Sequence, residues 1–558
     1  MRALLCLLAV SGCARPPSAV PVTVTSPPKA LLTALVASVE LEANGLPGRG
    51  ARAWEASADS GLTTVPVELS IEAAVNGAQL PAGRLTRQFS GLRFAGDAGA
   101  YGFSLVVREA GTFAFELTTT SADKLDIAWE VDLPAGWKSR TDGEERIESG
   151  KHVQVSKLLV TAPKDSPALG LVPPRIVIEG PKEDQLRLDD LARALGQDRA
   201  VDFCGISPFG SSGTKYSSRV FWDADVWLLP ALALTHPTRA RTVPTFRIQT
   251  GRAALSASSA EHPSAQVAFK VPWETGADGS ELCTGPGLHA AHVTGSAAWG
   301  MGYAARLGLT DQHIAHWYRN LAKGYYEHRA DLVNDLVTVP ETLSPDEFAM
   351  TPSDTYTNLV AHLAIGRKAP YIPTLGDRVL NFEGDGEQDL QQHALLLGLW
   401  PLEHPALLPR ARQILAHEKG RSTENGPAMS LSIEALLEAR YDNPTEAMRI
   451  WRRSIDRYAY GPARNFGETP RLPEGSFQTG VAGCWSAVVY GFAGIHIGDQ
   501  PVARAVWSRK LMSGTWVSAR PSLPPEWNSL AITLYLDGEP VPLKLRMGMP
   551  AKQSPDSR

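Results

Sequence analysis

The hydrophobic period of this chain changes near residue 186, and no single kind of secondary structure can satisfy both sides of that change. From about residue 31 to 178, apolar and polar residues alternate in short runs such as 65–71, 102–108 and 112–118, with glycine, aspartate and proline between them. A period of two sends successive side chains to opposite faces of a strand, so this part is expected to form a β-sandwich. Prolines within 162–167 and 172–174 break the pattern, and after Leu186 the period lengthens to roughly 3.6 residues. That repeat belongs to helices with one buried face. Between Asp311 and Val333, Ile314, Trp317, Leu321 and Tyr325 fall along one side. Further helical runs begin near Thr355, Leu390, Leu407, Met429 and Thr445. Past Val502, strand-like runs return at 530–536 and 541–545, joined at Asp537-Gly538, a strong hairpin signal.

A chain of 558 residues also exceeds what one core usually holds. The expected division is a sandwich over 31–185, a helical domain over 186–500, a small β domain over 501–550 and a disordered tail over 551–558. A formal charge of −5 supplies no field for phosphate backbones, which argues against nucleic acid and for a neutral partner. At the start, Arg2, the apolar stretch 3–10 and Val10-Ser11-Gly12-Cys13 resemble a bacterial lipoprotein signal, so residues 1–13 are expected to end at a lipidated Cys13. Residues 14–30, rich in Pro and Ser, then form a tether to the membrane at the cell envelope. A plain secretory signal is the alternative. Cys204, Cys283 and Cys484 show no metal-ligand spacing; export permits one disulfide among them, and the sequence does not say which.

Four segments carry candidate chemistry. In 220–230, Phe221, Trp222 and Asp223 pack aromatic rings against carboxylates at a helix mouth, as a sugar-binding surface requires; the bland alternative is an Asp cap beside a buried Trp. Segment 270–282 sets Trp273 beside Glu274, with His292 downstream, where a packing histidine is the commoner explanation. Segment 343–348 places Glu347 in a long loop next to Phe348, where a partly apolar site can hold a proton on a carboxyl group. The loop 465–480 contributes Glu468 and Glu474. By itself each of the last two segments reads more often as a solvated acidic loop. Inverting glycoside cleavage needs two carboxyl groups roughly 6.5 to 9.5 Å apart, which distant loops can supply.

Taken in order, these segments resemble glycoside hydrolase family 65, the group of maltose and kojibiose phosphorylases, acid trehalases and the glucosidase acting on glucosylgalactosyl-hydroxylysine. The resemblance implies an (α/α)6 barrel flanked by an N-terminal β-sandwich and a small C-terminal β domain, a multidomain α+β chain. It implies that Phe221, Trp222 and Asp223 hold the glucosyl ring. Pro345-Asp346-Glu347-Phe348 with Tyr356-Thr357-Asn358 implies Glu347 as general acid; Pro272-Trp273-Glu274 and Gly279-Ser280-Glu281 match a substrate-pocket segment, and Gln391, Gln392 and the downstream His292 are expected as further substrate contacts. Phe477-Gln478-Thr479-Gly480 stands where phosphorylases carry a phosphate-binding segment and is closer to the hydrolase pattern, whose upstream Glu is the general base: Glu468, with Glu474 as second candidate. The family's Gly-His before Phe-Trp-Asp is Ser218-Arg219 here, and its Lys-Gln is Gln391-Gln392, which points to an altered leaving-group subsite. The expected activity is inverting hydrolysis of a terminal α-glucosidic bond, without metal or organic cofactor. The alternatives are an inverting phosphorylase releasing β-glucose 1-phosphate and a glycan-binding surface lipoprotein without catalysis.

Overall fold

A computed structural model of the chain describes, with side chains, residues 138–157, 159, 176–192, 194–195, 205–209, 216, 219–251, 269–276, 279–347, 350–366, 368–460, 466–470 and 477–546. It describes the backbone of the strands within 30–161, of Arg193, of 252–261 and of Asn465 as well. The leader and lipobox of 1–13, most of the tether, Cys204, Phe348, Glu474 and the tail of 551–558 lie outside the described residues.

The first part is antiparallel throughout. Its largest sheet orders Lys138–Glu148, Lys151–Thr161, Thr112–Ser121, Gly99–Glu109, Gly91–Gly96 and Arg84–Gln88 side by side. The alternating runs 102–108 and 112–118 pair with each other, Leu105 opposite Phe115 and Phe103 opposite Leu117, so their apolar residues share a face. The run 65–71 is instead divided between two sheets, ending Gly61–Val65 and opening Glu68–Val75.

From Lys182 onward helices dominate. His292–Arg306 packs on Gln312–Arg329 and Thr355–Ile365, and Met429–Arg440 packs on Pro444–Asp456 and Gln478–Ser486. Gln478–Ser486 also meets Lys182–Leu195 and Leu229–Ala233. Local chemistry sets the helix ends. Asp311 caps Gln312–Arg329 by accepting the N–H groups of His313 and Ile314, and Asp354 caps Thr355–Ile365 through Thr357 N–H. Gly366 then stops that helix at φ +71°, a left-handed value that a glycine adopts without a Cβ penalty.

Two expectations shift in register. The run from Asp311 to Val333 is helical only to Arg329, after which Asp331–Val333 turns into a short strand. Its buried face is Ala315, Tyr318, Ala322, Tyr325 and Tyr326, rotated one residue from Ile314, Trp317 and Leu321, which lie at the rim of the core. Tyr325 of the expected face stays buried, joined by two further tyrosines and two alanines.

The C-terminal strands are built into the same core. Val177–Glu179 pairs with Ser529–Leu536, which forms a hairpin with Glu539–Arg546 over Asp537 and Gly538, both at positive φ as a type I′ turn demands. Ile495–Gly498 pairs with Trp516–Ala519, so that sheet straddles the expected boundary at 500. One continuous apolar cluster runs from Ile176 to Leu545. The buried Asp184 ties the parts together, accepting from Arg452 at 2.7 Å and from the Trp527 indole at 3.0 Å. Cys283 and Cys484 are free thiols. Among the described residues no helix is long and apolar enough to cross a membrane.

Candidate active site

Trp222 is buried at the entrance to a π-helical turn, Ala224–Leu228. Its ring meets His292 edge-on at 4.8 Å and lies 5.7 Å from Tyr356; Trp273 closes on His292 at 5.8 Å, and Phe221 stands between Trp273 and Tyr216. These rings form one aromatic wall. His292 is fully buried in it and burial pushes its pKa down to about 3, so the ring is neutral at physiological pH. A hydrogen bond with the main chain of Leu343 opposes that shift only in part.

Carboxylates stand against this wall. Asp223 occupies the cap position but makes no capping bond; it accepts the Thr479 hydroxyl at 2.9 Å. Burial, opposed by Thr479 and reinforced by the charge of Glu468, raises its pKa to about 6. The Tyr216 hydroxyl donates to Glu468 Oε1 at 2.8 Å. Burial and the charges of Glu468, Asp223 and Glu347 all drive the Tyr216 pKa upward, so this phenol keeps its proton as a donor. The candidate acid, the candidate base and the candidate ring-binding Asp thus share one electrostatic neighbour, although they come from three distant segments.

Glu347 closes a turn in which its N–H reaches Ser344 O at 2.8 Å, and it adopts φ +63°. A left-handed non-glycine residue costs on the order of 1–2 kcal/mol, a strain that surrounding contacts must hold. Its side chain is exposed rather than set in the partly apolar surroundings expected for it. The preceding Asp346 is buried: one carboxylate oxygen accepts the Gln391 N–H at 2.6 Å, which brings Gln391 and Gln392 beside the acid turn through their main chain. Ser344 donates to Asp354 at 3.0 Å. Tyr356 joins the wall and donates to or accepts from Ser296 at 3.0 Å, while Asn358 braces Val339, Ser353 and Tyr371.

Glu281 accepts the N–H groups of Trp273, Glu274 and Cys283 at 2.7, 3.0 and 3.1 Å and fixes the loop that carries Trp273. Glu274 pairs with Arg219. Behind Trp222, the fully buried Arg247–Asp225 pair at 2.6 Å ties the π-helical turn to Thr242–Glu261. Aromatic faces beside fixed carboxylates suit a pyranose, whose C–H face lies on a ring while its hydroxyls donate to the acids. Among the described residues no group of three or more His, Cys, Asp or Glu could hold a metal ion.

Residues 190–383 match the glycosyl hydrolase family 65 central catalytic domain. Over that stretch the chain is similar to a family 65 catalytic domain. Curated relatives include the protein-glucosylgalactosylhydroxylysine glucosidase of Dictyostelium discoideum, 24% identical over 52% of this chain and 46% of its own length. The kojibiose hydrolase of Mucilaginibacter mallensis is 24% identical over 59% and 50%, and the acid trehalase of Emericella nidulans 23% identical over 62% and 36%. The chain spans about half the length, or less, of these relatives. A solved structure from the human microbiome, described as a candidate kojibiose phosphorylase, superposes with a TM-score of 0.54 at 13% identity, covering 91% of this chain and 82% of the other; that likeness concerns the fold. The family 65 match holds Asp223, Glu347 and the aromatic wall, and ends before Glu468. Tyr216 and Thr479 escape sequence reading as site residues, since a lone Tyr and a helical Thr carry no spacing signal until the fold sets them against Glu468 and Asp223.

Proposed function

We propose that this chain hydrolyses the terminal α-glucosidic bond of an α-glucoside with inversion. The observation that carries the reading is the Tyr216 hydroxyl, bonded to Glu468 and raised in pKa by Glu468, Asp223 and Glu347, beside a wall of Trp222, Trp273, His292 and Tyr356. Asp223 holds the glucosyl ring. Glu347 protonates the departing oxygen, and Glu468 removes a proton from water on the opposite face, so that β-glucose leaves in one step. Tyr216, locked as a donor, keeps the Glu468 carboxylate aimed. Glu474 stays the second candidate for the base. In the same reading the helices close as an (α/α)6 barrel between an N-terminal β-sandwich over 31–185 and the C-terminal strands. The chain acts at the cell envelope through a lipid on Cys13; a Saccharomyces cerevisiae relative named periplasmic acid trehalase supports an envelope location. The names of the relatives support kojibiose, trehalose and glucosyl-galactosyl compounds as the substrates to try first.

The test is the anomer released in the first seconds from kojibiose, trehalose, nigerose or maltose, followed by NMR. Initial β-glucose without added phosphate is expected; initial α-glucose would refute inversion, and strict phosphate dependence would make the chain a phosphorylase. Glu347→Gln is expected to lower turnover at least about 1,000-fold while sugar affinity is kept, and an unchanged rate would leave a binder without catalysis.

A further inference from the structure

The carboxylate next to the candidate acid is built for another task. Asp346 is fully buried although its neighbour Glu347 is exposed. Its main-chain N–H bonds Ser344 Oγ at 3.3 Å, inside the turn that Glu347 closes, and its Oδ1 takes the Gln391 N–H at 2.6 Å. The segment it reaches is itself anchored on several sides. Ser430 donates to Gln391 O, Leu390 exchanges main-chain bonds with Arg421 and Thr423 at 2.7 and 2.9 Å, and Arg421 is fixed by Asp385 at 2.6 Å and Glu418 at 2.8 Å. From the other side, Ser344 bonds Asp354, the cap of Thr355–Ile365.

Glu347 therefore projects from a four-residue turn held between a helix cap and a rigid interior segment. A strained φ of +63° persists only when such contacts over-determine it. We infer that Asp346 is a positioning residue: its bond to the 391–392 main chain holds the turn in the one conformation from which Glu347 can reach the leaving oxygen. The inference rests on the reading of Glu347 as general acid. Asp346 Oδ2 and Gln392 Oε1 are both buried without a partner among the described residues. Burial of the Asp346 carboxyl outweighs its main-chain bonds from Gln391 and Gln392 and disfavours the charge, a cost in stability that fits a residue retained for where it holds the turn.

Leaving-group chemistry separates this role from a merely structural one. A natural disaccharide needs a proton on its departing oxygen, whereas the fluoride of α-glucosyl fluoride departs with little help. Asp346→Ala is expected to lower kcat on the disaccharide at least about 100-fold, with KM changed less than about 3-fold, and to lower turnover of the fluoride by less than about 5-fold, the pattern of a misplaced acid. Asp346→Asn keeps an oxygen for the Gln391 N–H and is expected within about 10-fold of the parent on both substrates. Should the Ala variant not fold by circular dichroism, Asp346→Glu, one methylene longer, makes the same comparison. Equal losses on both substrates, or full disaccharide activity in Asp346→Ala, overturns the inference. A parent chain that turns over neither substrate overturns the glucosidase reading and the inference with it.

Discussion

Asp223 shows how a functional side chain conflicts with stability. Its carboxyl is raised from 3.8 to about 6 because burial penalises the charge, an effect the Thr479 hydroxyl offsets only in part. The folded state thus binds the proton more tightly than the unfolded chain. Its stabilising contribution is complete below about pH 4 and is lost as the pH rises through 6. Asp223→Asn stays neutral and still accepts from Thr479, so the variant should exceed the parent in unfolding free energy by on the order of 3 kcal/mol at pH 8 and match it at pH 4. Urea titrations at the two pH values check this, and an equal difference at both would exclude desolvation as the cause. A residue that costs stability in this way is expected where charge serves binding.

At the level of elements, the site depends on helices that approach closely because glycine leaves room. Gly295 lies one turn beyond His292 in His292–Arg306, and a Cβ there would stand 2.5 Å from Val360 and 2.6 Å from the Tyr326 hydroxyl. That hydroxyl bonds both Ala291 O at 2.7 Å and Gly295 N at 3.0 Å, so it fixes the start of the helix that carries His292. Gly295→Ala should therefore cost about 1–3 kcal/mol of stability by overpacking, although alanine favours a helix. Denaturant unfolding measures it, and a stabilised variant would show that the neighbours yield freely. The reversal of the usual Gly-to-Ala preference is invisible in sequence, because it depends on which helix lies opposite.

For the whole molecule, the C-terminal strands belong to the core they follow. Trp527, Leu530, Ile532, Leu534 and Leu536 are each 2% exposed or less, and all join the cluster that runs back to Ile176. At about 1.5–3 kcal/mol for each large apolar side chain, their burial is on the order of 10 kcal/mol, comparable to the entire stability of a typical domain. A chain ending at residue 500 would also leave Ile495–Gly498 without its partner Trp516–Ala519 and Val177–Glu179 without Ser529–Leu536. Such a truncation is expected to be aggregated in size-exclusion chromatography and to lack a cooperative thermal transition. A monomeric fragment that melts cooperatively would make the C-terminal part an independent domain.

Periodicity alone separated the strand-forming first part from the helical part, located the helices between Gln312 and Asp456 to within a few residues and marked the Asp537-Gly538 hairpin, because side-chain period and turn chemistry act over neighbours in the chain. Motif order singled out Trp222, Asp223, Glu347 and His292. Only the tertiary structure decided that Asp223 accepts from Thr479 instead of capping a helix, that Tyr216 links Glu468 to the charges of Asp223 and Glu347, and that Gln391 meets the acid turn through its main chain. It also rotated the buried face of Gln312–Arg329 by one residue and carried the last sheet across residue 500. Each of these depends on groups far apart in sequence and close in space. Hydrogen bonds and burial are set by that closeness, and local pattern does not record it.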